Sequence, residues 1–245
     1  MLKLIKILNL FFSCNLKIYV SFLKYFVVPS YEHRKLLTEI NNLKTIIDVG
    51  ANKGQFSLLL FHKFPKSKYF LFEPLVKEFL ILKKIFVRNK NFVIRNVAIG
   101  NKNSKTRLYI LKNRDSSSIL QPTKINKKIF KKNYTIGNSI IQIVKLKDCL
   151  NDIKKPSLLK IDVQGYELEV LKGANLDHFS FIYLERSDLI LYKNQTTINE
   201  IQKFLSKNFI KINEFNIYKS ESNLTIYSDI LFKNKNNPIN YYKNN

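Results

Sequence analysis

The sequence predicts an α/β fold built on a doubly wound, mostly parallel sheet, and three observations carry that prediction. From Thr45 onward, short apolar runs alternate with apolar segments of helical spacing, the pattern of strands joined by right-handed crossover helices. The first run, Thr45-Ile46-Ile47-Asp48-Val49-Gly50, stops at an acid and at two spaced glycines, Gly50 and Gly54, before a helix begins. That is the strand–loop–helix grammar of a nucleotide-type site, although the three-glycine dinucleotide fingerprint is incomplete. Finally, acids recur at or just beyond strand ends, at Asp48, Glu73, Asp162 and Glu185, which is where ligands bind in an open α/β sheet.

The elements follow in order. In residues 1–28 the polar positions Lys3, Lys6, Asn9, Ser13, Lys17, Ser21 and Lys24 recur every three or four residues, so they form one stripe on a helix. Neither a secretory signal nor a spanning helix fits this segment. It reads as a basic amphipathic helix that either lies in a membrane interface or packs on protein. Pro29 ends it, and Glu32–Asn42 is predicted as a second helix, giving an N-terminal helical extension over 1–42. Thr45–Gly50 is the first strand and Gly54–Lys63 its helix. Lys68–Phe72 is the second strand, ending at Glu73-Pro74, followed by a helix over Leu75–Arg88 and a third strand over Asn91–Ile99.

An excursion then occupies about 101–145, with extended segments at Arg107–Leu111 and Ser139–Val144 around a polar stretch that carries Asp115-Ser116-Ser117-Ser118. A substrate lid and a disordered insertion are both compatible with it. The alternation resumes with a short helix over Lys147–Asn151 and a fourth strand over Leu158–Val163. Gln164-Gly165 forms a turn, Tyr166–Lys172 a helix closed by Gly173, and Phe181–Leu184 a fifth strand. A helix over Thr197–Lys207 and a closing hairpin of Phe209–Glu214 and Asp229–Lys233 complete the core domain at 43–233, leaving 234–245 as a flexible tail.

Composition narrows the function. The chain has 245 residues, enough for one substantial α/β core, and a formal net charge of +24. That charge suits an anionic partner, but the lysines are spread along the chain and accompany abundant Asn, Ile, Phe and Tyr, so compositional drift explains it better. Two distant cysteines, Cys14 and Cys149, exclude a disulfide framework and a zinc site and fit the reducing cytoplasm. His33, His62 and His178 are scattered and read as ordinary surface or boundary residues; no metal-ligand set is evident. Glu73 follows Asp48 by 25 residues, close to the distance at which an acid grips ribose hydroxyls.

Five blocks then resemble one family in the right order: Asp48-Val49-Gly50-Ala51-Asn52-Lys53-Gly54, Phe72-Glu73-Pro74, Asn96-Val97-Ala98-Ile99-Gly100, Leu159-Lys160-Ile161-Asp162-Val163-Gln164-Gly165-Tyr166-Glu167, and Val170-Leu171-Lys172-Gly173-Ala174. Together with the Ser117-Ser118 pair they are similar to the FkbM family of S-adenosylmethionine-dependent methyltransferases over roughly residues 45–233. The resemblance implies a class I methyltransferase (Rossmann-like) three-layer fold, with a mostly parallel seven-stranded sheet and an antiparallel C-terminal hairpin. It also implies methyl transfer to an oxygen, often on a sugar or polyketide, and a small-molecule or glycan acceptor.

Carried over by position, the cofactor would be held by Asp48, Gly50, Ala51, Asn52, Gly54 and Phe56 in the first loop and helix, and by Glu73 and Pro74 at its ribose. Asn96, Val97 and Ala98 would border its adenine, and Asp162 would face its methyl group. Asp162 is the candidate base, Lys160 its orienting partner, and Glu185 a neighbouring acid that could share Mg²⁺ with it, a variant that the spacing allows but does not demand. Ser117, Ser118, Gln164 and Glu167 are the substrate-side candidates; for Glu167, a role at the helix N-terminus is preferred. A nucleic-acid methyltransferase would suit the charge, but the proline-bearing turn such enzymes carry after the fourth strand is here Asp162-Val163-Gln164-Gly165. A non-catalytic binding protein of the same fold is the other alternative. Oligomeric state is not legible in the sequence.

Overall fold

The computed structural model describes residues 27–236. The basic N-terminal stripe and the Asn/Lys-rich tail therefore fall almost entirely outside the described residues. No helix among those described is long and apolar enough to cross a membrane.

Among the described residues, ten strands form two sheets. The larger has seven strands in the order β3-β2-β1-β7-β8-β10-β9. Its parallel part comprises β1 (Thr45–Val49), β2 (Lys68–Phe72), β3 (Phe92–Arg95), β7 (Ser157–Ile161) and β8 (Phe181–Arg186). The last two strands, β9 (Phe209–Lys219) and β10 (Thr225–Asn234), form an antiparallel hairpin whose β10 pairs antiparallel with β8. All residues of β1 and β7 are buried, as strands covered on both faces must be. Strand order reverses at β1, which places the switch point between the carboxyl ends of β1 and β7.

Side chains of alternate parity feed two cores. One face of the sheet packs through Ile46, Tyr69, Leu71, Leu158 and Tyr183 against the helices α2 (Gln55–Lys63) and α3 (Val76–Phe86) and against a short N-terminal turn of helix. The other packs through Ile47, Leu159, Ile161 and Ile182 against α5 (Glu167–Lys172) and α6 (Ile198–Leu205). The start of α6 is fixed by a capping box, in which Thr197 and Glu200 satisfy each other's backbone N–H groups. The expected helix over Glu32–Asn42 is shorter and split into a 3-10 turn, Tyr31–Lys35, and α1, Leu36–Glu39.

Two further expectations are corrected. The single third strand over Asn91–Ile99 is broken at Asn96-Val97, so that β3 stays in the main sheet while β4 (Ala98–Gly100) belongs to a second one. The cause is the Asn96 side chain, which donates to the carbonyls of Glu73 and Pro74 at 2.8 and 2.9 Å and turns the chain toward the end of β2. The excursion is an ordered unit: β5 (Ser104–Leu111) and β6 (Thr135–Lys145) pair antiparallel, β4 pairs with β6, and α4 (Lys124–Ile129) lies between β5 and β6. Leu108, Ile141 and Ile143 give it a small core of its own with Leu75 and Ala98. The bridge Tyr109–Ser118 ties the polar stretch to β5, and the bridge Pro122–Tyr192 ties it to the segment after β8.

Candidate active site

Two cavities meet at the switch point. The larger, of about 780 Å³, runs from the loop after β1 across the ends of β7 and β8 to the β9–β10 hairpin. The smaller, of about 70 Å³, lies between the ends of β1 and β2, the start of β4 and the excursion. Gly50, Asn52, Asp115 and Asp162 line both, so these four mark the junction.

The loop after β1 is shaped by three left-handed residues, Gly50 (φ 77°), Asn52 (φ 49°) and, at its end, Gly54 (φ 90°). A side chain at Gly50 would place its Cβ 1.9 Å from the Asp162 carbonyl oxygen, so the two loops can touch only through glycine. Gly54 lies against α3, where a Cβ would meet Leu82 and Phe86 at 2.7 and 2.8 Å. Asp48 lies beneath the loop, fully buried. It accepts from the Ser57 hydroxyl at 2.8 Å and pairs with the Lys160 ammonium at 3.0 Å. Lys160 also donates to the Gly50 carbonyl at 3.0 Å and lies 3.7 Å from Asp162 Oδ2. Burial opposes the charge on Lys160, but Asp48 and Asp162 outweigh it and hold the ammonium pKa above the ordinary lysine value. Lys160 thus anchors the first loop as well as facing Asp162.

At the end of β2, Glu73 is buried and its carboxylate accepts the Leu75 and Asn52 N–H groups, each at 2.8 Å. Desolvation dominates, and the two backbone bonds only partly offset it, so the Glu73 pKa rises to about 7. Pro74, Val97 and Ala98 line the small cavity as expected, with Leu75, Ile99 and Ile119 adding apolar wall. Asn96 does not line it and acts as the clamp on Glu73-Pro74 described above. Ser117 and Ser118 line the small cavity and also tie the excursion together. The Ser117 hydroxyl accepts from the Leu111 N–H at 3.1 Å, while Ser118 donates to the Gln164 carbonyl at 2.7 Å and accepts from Leu120 N–H at 3.0 Å. What roofs the small cavity is an ion pair that the sequence did not disclose, Arg114 of the excursion against the buried Glu78 of α3, with Nη2 to Oε2 at 2.7 Å.

Beyond β7 the turn is organised by Gln164 (φ 58°) and Gly165 (φ 98°). The Gln164 amide nitrogen donates to Asp162 Oδ1 at 2.8 Å and to Glu185 Oε2 at 2.7 Å, and its oxygen accepts from the Tyr192 hydroxyl at 2.9 Å. An amide nitrogen therefore stands in the gap that a cation shared by Asp162 and Glu185 would need. Glu185 is held well above the usual carboxylate range by burial first and by Asp162 next. Glu167 accepts the Gly165 N–H at 3.0 Å and the Val163 N–H at 3.4 Å, which places it inside the turn. Burial and the nearby Asp162 lift its pKa to about 7 against those bonds. Asp115 faces the same junction and is raised by burial and by Asp162. Among the described residues no group of three or more His, Cys, Asp or Glu is disposed to hold a metal.

His33 departs from the expectation of an ordinary boundary residue. Its Nδ1 lies 2.9 Å from the Tyr183 hydroxyl and 3.4 Å from Asp229 Oδ2, and Asn216 donates to the same Asp229 oxygen at 2.7 Å. Phe56 stacks on Tyr183 with ring centroids 5.8 Å apart and meets the His33 ring edge-on at 5.3 Å. No local pattern could reveal this cluster, because its members come from five separate elements.

A seven-stranded sheet in this order, with a glycine loop after β1, a buried acid after β2 and an antiparallel closing hairpin, is the framework of a class I methyltransferase. The chain belongs to the methyltransferase FkbM domain family, whose model matches residues 48–211. Methyltransferase sdnD of Sordaria araneosa is 28% identical over 162 residues, 56% of this chain and 62% of its own. Methyltransferase 1 of Beauveria bassiana (strain ARSEF 2860) is 27% identical over 157 residues, 56% of this chain and 61% of its own. The matched region thus spans about three-fifths of either relative. Among solved structures, the fibrillarin/Nop5p complex covers 84% of this chain and 81% of its own at 11% identity and a TM-score of 0.48. M. capricolum TrmK, in complex with S-adenosyl-homocysteine, covers 84% and 69% at 13% identity and a TM-score of 0.45. Likenesses this remote carry no argument about ligand or substrate.

Proposed function

We propose that this chain transfers a methyl group from S-adenosylmethionine to a hydroxyl oxygen of a sugar, a glycan or a related small molecule, with Asp162 as the base. Family membership supports methyl transfer. The observation that carries the assignment of the base is that Asp162 lines both cavities, where a donor held in one would meet an acceptor held in the other, and that, unlike Asp115 at the same junction, it is oriented by Gln164 and faced by the Lys160 ammonium.

The residues present fit the cofactor. Asn52 Oδ1 is buried and has no hydrogen-bond partner, an acceptor left for a ligand donor. The small cavity joins apolar wall to the Glu73 carboxylate, the chemistry that suits a purine and a ribose diol. Gly50, Ala51 and Asn52 would border the methionine end, and Glu73 the ribose. Pro74, Val97 and Ala98 would border the base. When bound, the cofactor supplies a methyl group on a sulfonium, a carbon open to in-line attack.

The protein's own task is then positioning and proton removal. Asp162 takes the proton of the attacking hydroxyl. Gln164 fixes the carboxylate through Oδ1, and Lys160, beside Oδ2, steadies its negative charge. Glu185, with its raised pKa, carries its proton to higher pH and spares Asp162 a second full charge across the amide.

Asp162→Asn is expected to leave S-adenosylhomocysteine affinity within about twofold and to lower methyl transfer into a cell-glycan extract by roughly 10²–10⁴-fold. Full turnover in that variant would remove Asp162 as base. A chelator is expected to leave transfer unchanged, since Gln164 already bridges the two carboxylates. Activity lost to the chelator and restored by Mg²⁺ would place a cation between Asp162 and Glu185 instead.

A further inference from the structure

The β9–β10 hairpin runs past the sheet. Its strands reach Lys219 and start at Thr225, whereas β8 pairs only with residues Ser228 to Lys233. The overhang leans on the mouth of the large cavity, which Asn216, Ile217, Tyr218 and Tyr227 line. Tyr218 and Tyr227 are cross-strand partners and stack on each other, with ring centroids 5.1 Å apart and an interplanar angle of 24°. They are nevertheless 50% and 36% exposed, and their neighbour Ile217 is 52% exposed. Register shifts flank Tyr227 on both sides, between Thr225 and Tyr227 and between Tyr227 and Asp229. Irregularities of this kind bend a ladder and re-aim side chains, often beside active sites. The chain has no Trp, so an aromatic surface at this mouth has to be built from Tyr or Phe.

Charge tells which ring would lie there. Although the protein carries +24 overall, the cavity beneath the pair is lined by Glu32, Asp115, Asp162 and Asp229, and by Glu167 and Glu185, whose pKa values burial raises. Lys160 and Arg186, which also line it, are committed within the protein. Lys160 is bound to Asp48 and Gly50, and Arg186 donates to Glu214 at 2.8 and 3.1 Å and pairs with Asp188. A phosphate or carboxylate entering this mouth would meet carboxylates and no disengaged lysine or arginine among its described lining residues. A neutral or amine-bearing ring with polar edges and an apolar C–H face would meet a flat aromatic surface and hydrogen-bond acceptors.

We infer that Tyr218 and Tyr227 form a stacking platform for the acceptor, and that the acceptor ring on it is a neutral or amino sugar pyranose, not a phosphorylated or uronic one. The inference rests on the methyltransferase reading above and specifies its acceptor. The platform holds the ring by its C–H face while its hydroxyls reach down toward Asp162. A nucleic acid is disfavoured by the same carboxylates, since its backbone phosphates would have to pass them.

The test is saturation-transfer NMR on the full chain with S-adenosylhomocysteine bound, irradiating tyrosine ring protons. The probes are methyl α-glucopyranoside, methyl glucosaminide, methyl glucuronide, glucose 6-phosphate and a short oligoribonucleotide. Transfer is expected to the first two and not to the three anionic probes. Tyr218→Ala with Tyr227→Ala is expected to weaken glycoside binding about tenfold, the upper range of a stacking contact, while the Phe double variant retains it. Unchanged thermal midpoint and S-adenosylhomocysteine affinity in the Ala variant show that the fold persists. Equal glycoside binding by the Ala variant, preference for an anionic probe, or no transfer to any glycoside would overturn the platform. Failure of wild-type protein to bind S-adenosylhomocysteine would instead overturn the methyltransferase reading.

Discussion

Glu73→Ala is expected to reduce S-adenosylhomocysteine affinity by about 100-fold or more in calorimetry, and two losses combine to produce that. The ribose diol loses its acceptor, and the buried N–H groups of Asn52 and Leu75 lose theirs. A hydrogen bond to a charged group contributes about 1.5–3 kcal/mol, and a buried donor left unpaired costs about 1–3 kcal/mol. The second loss also loosens the loop that Asn52 belongs to, so the thermal midpoint should fall together with the affinity. Unchanged affinity would remove the ribose role from Glu73.

The raised pKa adds a pH signature of definite sign. Burial lifts Glu73 from 4.5 to about 7, so the folded protein binds this proton more tightly than the unfolded chain does. Its contribution to stability is therefore greatest below pH 4.5 and is lost as pH rises to about 7. Glu167 follows the same course over the same window, so the two slopes add. Cofactor binding works in the opposite direction, because a diol donates to the ionised carboxylate. Affinity should strengthen as pH rises through about 7, with proton release detectable by calorimetry in buffers of different ionisation enthalpy. Affinity independent of pH between 6 and 8 would mean that Glu73 does not meet the ligand.

Much of the frame was legible because it is local. β1, β2 and β7 begin and end within about two residues of their expected positions, since each is a short apolar run bounded by a turn signal. The four strand-end acids were legible for the same reason, although their duties differ. Asp48 is buried and paired with Lys160, Glu73 is buried beside the small cavity, and Asp162 and Glu185 are joined through Gln164. What stayed hidden depends on contacts between distant segments. The break at Asn96-Val97 depends on carbonyls more than 20 residues away, and the excursion is joined to α3 by Arg114 meeting Glu78 across 36 residues. The overhang of β9–β10 was missed because Asn216 and Asn223, both at positive φ, interrupt the apolar alternation that marks a strand.

Lys160→Met is expected to be the most destabilising single change in the site. The substitution keeps the length and apolar stem of the side chain while removing the ammonium. Asp48, fully buried, is then left with the Ser57 hydroxyl against a full charge. Breaking a buried pair from one side costs about 3–5 kcal/mol, because the stranded ion cannot recover its water. For a domain of this size that lowers the thermal midpoint by roughly 6–20 °C. The loss should be the same from pH 5 to 9, since the Lys160 contribution is present in full below the ordinary lysine pKa of 10.5 and fades only above it. Asp48→Asn in the Lys160→Met background should restore much of the stability, because the uncompensated charge is then gone; a double-mutant cycle measures the coupling. Cofactor affinity should not return with it. The Gly50 carbonyl has lost its donor in both variants, and the loop that would border the methionine end is no longer tied to β7. A midpoint within 2 °C of wild type in Lys160→Met would show that the pair is not what holds this loop, and full recovery of affinity in the double variant would confine Lys160 to stability alone.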